Sequence, residues 1–212
     1  MTTYNDPSII GSAPKDYLDI EAGDARYMLQ SAPLLTGNNT VWEDLRFPAT
    51  GINPPGAVAD ATRSTTTGLL EFSGSADNVI AIVAQMPHNW KEGSAIYPHL
   101  HLRFPTSATA NTRWKIEYDI ASPTGNFTNN SGTLTDGGTI TVANPANVKK
   151  HVLASFATIT MTGHTVSAVL IIKITRLANT DAADNDTNAC ELLEFDIHYE
   201  IDSLGSASEL VK

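Results

Sequence analysis

Residues 97–104 read YPHLHLRF and place two imidazoles, His99 and His101, one residue apart in an apolar run. On an extended chain successive side chains alternate, so residues two apart share a face. Two imidazoles so placed can chelate one divalent transition-metal ion. The same alternation puts Tyr97, His99, His101 and Arg103 on one face and Leu100, Leu102 and Phe104 on the other. The leucine face must be the core, so the imidazoles are expected on the outer surface of their sheet. Three uses fit that position: a polar strand face, a contact between subunits, or metal chelation.

The spacing from Gly93 through five residues to His99, then one more to His101, resembles the first half of the cupin metal motif. A cupin carries a glutamate four or five positions after the second histidine, where this chain has Pro105 and Thr106. No second motif ending in histidine and asparagine follows, and His164 lies in MTGHTV, which reads as a turn. An interior metal site would also need its ligands where the alternation puts leucines. A cupin-like enzyme is therefore disfavoured and no cofactor is expected. A shared octahedral ion, held by histidine pairs from three chains on the axis of a trimeric viral fibre, is a further arrangement that requires threefold symmetry.

Other chemistry is thin. The chain has no Gly-x-Ser-x-Gly elbow and no phosphate-binding loop. Asp24, Glu43 and Asp44 precede the expected core, while Asp196 and Glu200 share a strand face with other charges and read as solvated. The segment NTDAADNDTN, residues 179–188, has three aspartates but lacks the glycine and terminal glutamate of a calcium loop. It is expected to be a surface loop. No catalytic residue is assigned, and the chain is not expected to be an enzyme.

The elements that must position these residues are β-strands. The chain has 212 residues, enough for one sizeable core. With 13 basic against 23 acidic residues it carries a formal charge of −10 and no basic cluster, so a phosphate backbone would be repelled. Cys190 is the sole cysteine, which excludes an intrachain disulfide and a cysteine-pair zinc site and suggests a small buried hydrophobe. The first residues lack the basic start and apolar stretch of a signal peptide, and no later run is long enough to span a bilayer. The product is expected to be made soluble in the cytoplasm, with neither nucleic acid nor membrane as partner.

Residues 1–40 scatter prolines and glycines among short polar pieces with no sustained period, which reads as an arm ordered by something else. From about residue 78, runs of Val, Ile, Thr and aromatic residues bounded by Gly, Pro, Asn and Asp mark strands and turns. VIAIVAQM (79–86) and VSAVLIIKI (166–174) are apolar on both faces and read as central strands. TRWKIEYDI (112–120) puts Trp114, Ile116, Tyr118 and Ile120 on one face, and LEFDIHYEID (193–202) does the same with Phe195, Ile197, Tyr199 and Ile201. HVLASFATITM (151–161) supplies another strand, and SGTLTDGGTITVA (131–143) reads as a hairpin turning at DGG. Seven or eight strands without a long helix predict an all-β antiparallel sandwich, a jelly roll, over residues 41–212 behind the N-terminal arm.

Resemblance to a family enters on longer stretches. EAGDARYMLQ, centred on Asp24, Ala25, Arg26 and Tyr27, resembles the short Asp-Ala-Arg-Tyr segments common in bacteriophage tail-fibre and other virion appendage proteins. WEDLRFPATGINPPG (42–56), AQMPHNWKEGSAIYPHLHLRF (84–104) and LEFDIHYEIDSLGS (193–206) look like segments of small phage structural proteins. The resemblance implies an anchoring arm followed by a β-sandwich head, commonly as a homotrimer, located on the virion. It implies docking of the arm to other virion proteins through Asp24, Arg26 and Tyr27. Trp90, Tyr97 and Arg103, around His99 and His101, are of types enriched at interfaces. A second reading, compatible with the first, is a carbohydrate-binding module in its own right, whose head recognises host-surface glycan through exposed aromatics and loop polar groups.

Overall fold

The structure, a computed structural model, describes residues 40–127, 133–146 and 148–209. Asp24, Arg26 and Tyr27 lie outside the described residues, as does the rest of the expected arm. Ten strands follow in order: β1 Val41–Pro48, β2 Thr62–Arg63, β3 Leu70–Phe72, β4 Asn78–Gln85, β5 Ile96–Arg103, β6 Asn111–Ala121, β7 Thr135–Ala143, β8 His151–Ser155, β9 Val169–Arg176 and β10 Cys190–Ile201. Among the described residues a single 3-10 turn, Ala49–Gly51, is the other regular element. No helix among them is long and apolar enough to cross a membrane.

All the strand pairings are antiparallel. One six-stranded sheet runs β2-β3-β10-β5-β8, with β1 pairing β10 beyond the end of β3; the four-stranded sheet runs β4-β9-β6-β7. From β3 onward every connection crosses from one sheet to the other, except that β6 and β7 are neighbours. Eight strands wound as two Greek keys into two facing sheets are a jelly roll, so the expected fold is the observed one.

The inner faces close on each other. Leu70, Phe72, Leu100, Leu102, Phe104, Phe195 and Ile197 from the six-stranded sheet meet Ile80, Trp114, Ile116, Leu170, Ile172 and Ile174 from the four-stranded one, all fully buried. Phe72 meets Trp114 edge-on at 4.8 Å between centroids, the arrangement an aromatic quadrupole favours. Strand alternation produces this directly: β5 reads buried at every second residue from Ile96.

Three elements differ from expectation. β4 is an edge strand: among the described residues β9 is its one strand partner, a single bridge from Asp60 reaches Val79 at its start, and its outward Val83 is 67% exposed opposite Ile171. Apolarity on both faces therefore does not mean a central position here. The DGG segment makes no hairpin: Asp136, Gly137 and Gly138 lie inside β7, where the register against β6 shifts between Lys115 and Glu117. Gly138 has φ +89, and a Cβ on Gly137 would lie 2.7 Å from Ile116 Cγ2, so a bulge uses the same glycines that a turn would. Trp90 is not a surface residue. The segment before β5 folds back on β10, with Trp90 bridging to Ile201 and the Lys91 amide donating to the Glu200 carbonyl at 2.8 Å, and the indole is fully buried.

The 179–188 segment is also more than a surface loop. Asp184 and Asp186 are buried around Arg176, a fully buried guanidinium that bonds the Asp184 carboxylate and the carbonyls of Phe72, Asp186 and Asn188. Asp186 in turn accepts from Asn144 Nδ2 at 2.6 Å. Of the three aspartates that suggested calcium, Asp184 and Asp186 instead surround Arg176, and Asp181 pairs with Arg113.

Candidate functional site

A β-bulge decides what the outer face of the six-stranded sheet carries. In β10 the register against β5 shifts between Leu192 and Glu194. Before the shift Cys190 and Leu192 are core residues; after it Phe195, Ile197 and Tyr199 are. The extra residue therefore sends Glu191 outward ahead of the bulge and Glu194, Asp196 and His198 outward beyond it. From β5 the outward residues are Tyr97, His99, His101 and Arg103, and the register sets Asp196 opposite His99, Glu194 opposite His101 and Glu191 opposite Arg103. β1 adds Trp42, Asp44 and Arg46, and β8 adds His151 opposite Arg103.

Four of the six histidines of the chain thus converge on one sheet face. His101 is the centre. Its Nε2 lies 3.2 Å from Asp196 Oδ2 and its Nδ1 lies 2.8 Å from His151 Nε2, with the two rings stacked 5.0 Å apart. His99 Nδ1 is 3.3 Å from the other oxygen of Asp196. His198 Nδ1 bonds Asp44 Oδ1 at 2.5 Å, and its ring stacks on Trp42 at 4.9 Å and 9°. Trp42 meets Tyr97 edge-on at 5.3 Å. Arg46 grips Glu194 with two hydrogen bonds of 2.9 and 2.7 Å, and Arg103 pairs with Glu191.

The face is less wet than strand alternation suggests. Glu191, Glu194 and Asp196 are 2%, 9% and 5% exposed, covered by the long side chains around them. Burial raises the Asp196 carboxyl above its ordinary value, against the opposing pull of His101 and His99. His101, Glu194 and Asp196 each offer a ligand atom, and these atoms lie within 4.8 Å of one another. A His-and-carboxylate set of this kind suits a divalent first-row transition metal.

His99, His101, Tyr97 and Arg103 lie on the expected outward face, half-buried, and their leucine neighbours lie in the core. Sequence reasoning placed Asp196 on a polar strand face and missed its partnership with these histidines. His151 and Glu194 were also missed. The partners come from 50 and 95 residues away along the chain, and only strand order brings them together. The available signal was the matching parity of Asp196 and His198 in LEFDIHYEID.

No family model matches the chain, and no curated protein does. Among solved structures the chain is similar to a Paenibacillus sp. cycloisomaltooligosaccharide glucanotransferase complexed with cycloisomaltoheptaose, at 13% identity and a TM-score of 0.41, over 71% of this chain and 17% of that one. It is similar to the CBM22-1 xylan-binding domain of Paenibacillus barcinonensis Xyn10C at 10% identity and a TM-score of 0.32, over 80% and 99% of the two chains. A chain of infectious bursal disease virus, Gt strain, is similar at 11% identity and a TM-score of 0.33, over 76% and 32%. Likenesses at these scores do not bear on function, and the fold assignment rests on the strand pairing itself.

Proposed function

We propose that the chain is a structural component of a bacteriophage virion, an appendage protein whose residues 1–40 dock on the particle and whose jelly roll projects as a homotrimer. One observation carries this reading. The three stretches that resemble phage structural proteins, 42–56, 84–104 and 193–206, cover most of β1, all of β5 and most of β10, which are adjacent strands of one sheet. A likeness scattered over the sequence converges on one face, where Trp42, Tyr97, Arg46 and Arg103 are of the types that dominate interfaces. In this role the face serves assembly and no catalytic step is needed.

Of the three tryptophans Trp90 and Trp114 are buried, and Trp42, 38% exposed, lies where the chain enters the sandwich. That position suits an assembly contact better than capture of a host glycan at a distal loop. Antibody raised against residues 40–212 should label purified particles of the phage that encodes the chain, and light scattering should return three times the chain mass. Particles that carry none of the protein would overturn the virion role, and a monomer with residues 1–40 intact would overturn the trimer.

A further inference from the structure

The outer face of the six-stranded sheet has a charge imbalance. Arg46 pairs with Glu194 and Arg103 with Glu191, whereas Asp44 and Asp196 have only imidazoles as ion-pair partners. Of these two, Asp44 is exposed, whereas Asp196 is 5% exposed and no guanidinium or ammonium group pairs with it. Uncompensated carboxylates are expensive in such a place. The imbalance is centred on Asp196, whose buried Oδ1 accepts no hydrogen bond and has His99 Nδ1 3.3 Å away.

We propose that this face binds one divalent first-row transition-metal ion per chain, held by His101 Nε2 and the carboxylates of Asp196 and Glu194. The ligand atoms are already gathered, within 4.8 Å of one another and contributed by neighbouring strands rather than by a loop. The 3.2 Å between His101 Nε2 and Asp196 Oδ2 is close to the edge of a tetrahedron whose centre lies about 2.0 Å from each ligand atom. A ligating histidine needs an acceptor for its other ring nitrogen to fix ring and tautomer. His101 has one: with Nε2 on the metal, its Nδ1–H donates to His151 Nε2 at 2.8 Å. For Glu194 to contribute, Arg46 must release it, which the Arg46 side chain, 66% exposed, allows by turning toward solvent. A dipositive ion supplies the cation that Asp196 lacks. The inference rests on this geometry alone and stands or falls separately from the virion reading.

The test uses the full chain, free of any affinity tag and stripped with chelator, titrated with Zn2+ by calorimetry and with Co2+ by visible absorption. One Zn2+ per chain is expected, with a rise in thermal midpoint that grows with free Zn2+. H101A and E194Q should each weaken Zn2+ binding by about a hundredfold or more, and H151A, which removes only the orienting acceptor, by about tenfold. H164A, on a turn remote in sequence from these strands, should leave binding unchanged. Circular dichroism and thermal melting of each variant in chelator confirm that it is folded. Failure to bind Zn2+ and Co2+ at micromolar free ion would overturn the site, as would unchanged affinity in folded H101A and E194Q. A stoichiometry of one ion per three chains would replace it with an axial site between subunits.

Discussion

Arg176 and Asp184 meet through two hydrogen bonds of 2.9 Å, Nε to Oδ2 and Nη2 to Oδ1, with side chains 0% and 1% exposed. Both charges are out of water, so the pair is held by its completeness: three carbonyls accept the remaining guanidinium protons. Removing one partner strands the other. Asp184→Asn, which keeps the shape and removes the charge, is expected to lower unfolding stability by about 3–5 kcal/mol. Urea denaturation measures this, and a loss within experimental scatter would show that the pair does not organise the 177–189 segment.

Glu117 gives a pH dependence on the opposite sheet. Desolvation raises its pKa, but hydrogen bonds from Lys115 at 3.0 Å and Lys173 at 3.1 Å outweigh it, and the net value lies below the ordinary 4.5. A carboxyl depressed on folding stabilises the protein above its unfolded pKa and loses that contribution as pH falls through the folded value. Glu117→Gln is therefore expected to cost about 0.5–1 kcal/mol at neutral pH and progressively less below pH 4.5. Paired urea titrations across that interval check it; a cost independent of pH would contradict the ion-pair account.

Cys190 is fully buried at the start of β10, and burial pushes its thiol up to about 12. Because the thiolate is the reactive form, the native protein should be inert to thiol reagents at mildly alkaline pH and react only as the core opens. The modification rate should then track global unfolding as urea is raised. Rapid labelling without denaturant would mean that β10 frays from this end.

Gly74 sits against the segment that Arg176 organises. A Cβ there would lie 2.3 Å from the Thr187 carbonyl carbon and 2.7 Å from the Asn188 nitrogen. Those are backbone atoms held by their own bonds, so they cannot turn aside as a side chain would. Gly74→Ala is expected to cost about 1–3 kcal/mol through overpacking. Gly163→Ala, at φ +85 with open space around it, should cost about 1–2 kcal/mol from left-handed strain alone. Thermal melts of the two variants, with Asp184→Asn as reference, separate the mechanisms: the first should be non-additive with Asp184→Asn and the second additive.

Where the sequence was legible, the reason was local. Leu100, Leu102 and Phe104, or Trp114 and Ile116, declare their face within a few residues because burial alternates with the backbone. What could not be read depends on strand order. Val83 looks as buried as Leu170 until β4 proves to be an edge. Asp-Gly-Gly requires the same backbone freedom in a bulge as in a turn, so composition does not separate them. The strand formed by WEDLRFP was not anticipated, because only its Leu45 and Phe47 pack on the core and its pairing comes wholly from β10. The site follows the same rule: His99 and His101 announced themselves by spacing, while Asp196, Glu194 and His151 became their partners only through register.

The pairing of β1 with β10 has a mechanical consequence. Val41 lies opposite Ile201 and Pro48 opposite Glu194, so the chain enters the sandwich beside the point where β10 ends. Tension transmitted through residues before Val41 and after Ile201 would pull on the first rung of an antiparallel ladder and break its rungs one after another. The same strands loaded along their length would have to break together. β1 is thus a peelable element: its release exposes the outward carboxylates of β10 beside His198, while β10 stays paired to β5, so a pull from one end would be felt first at the histidine face.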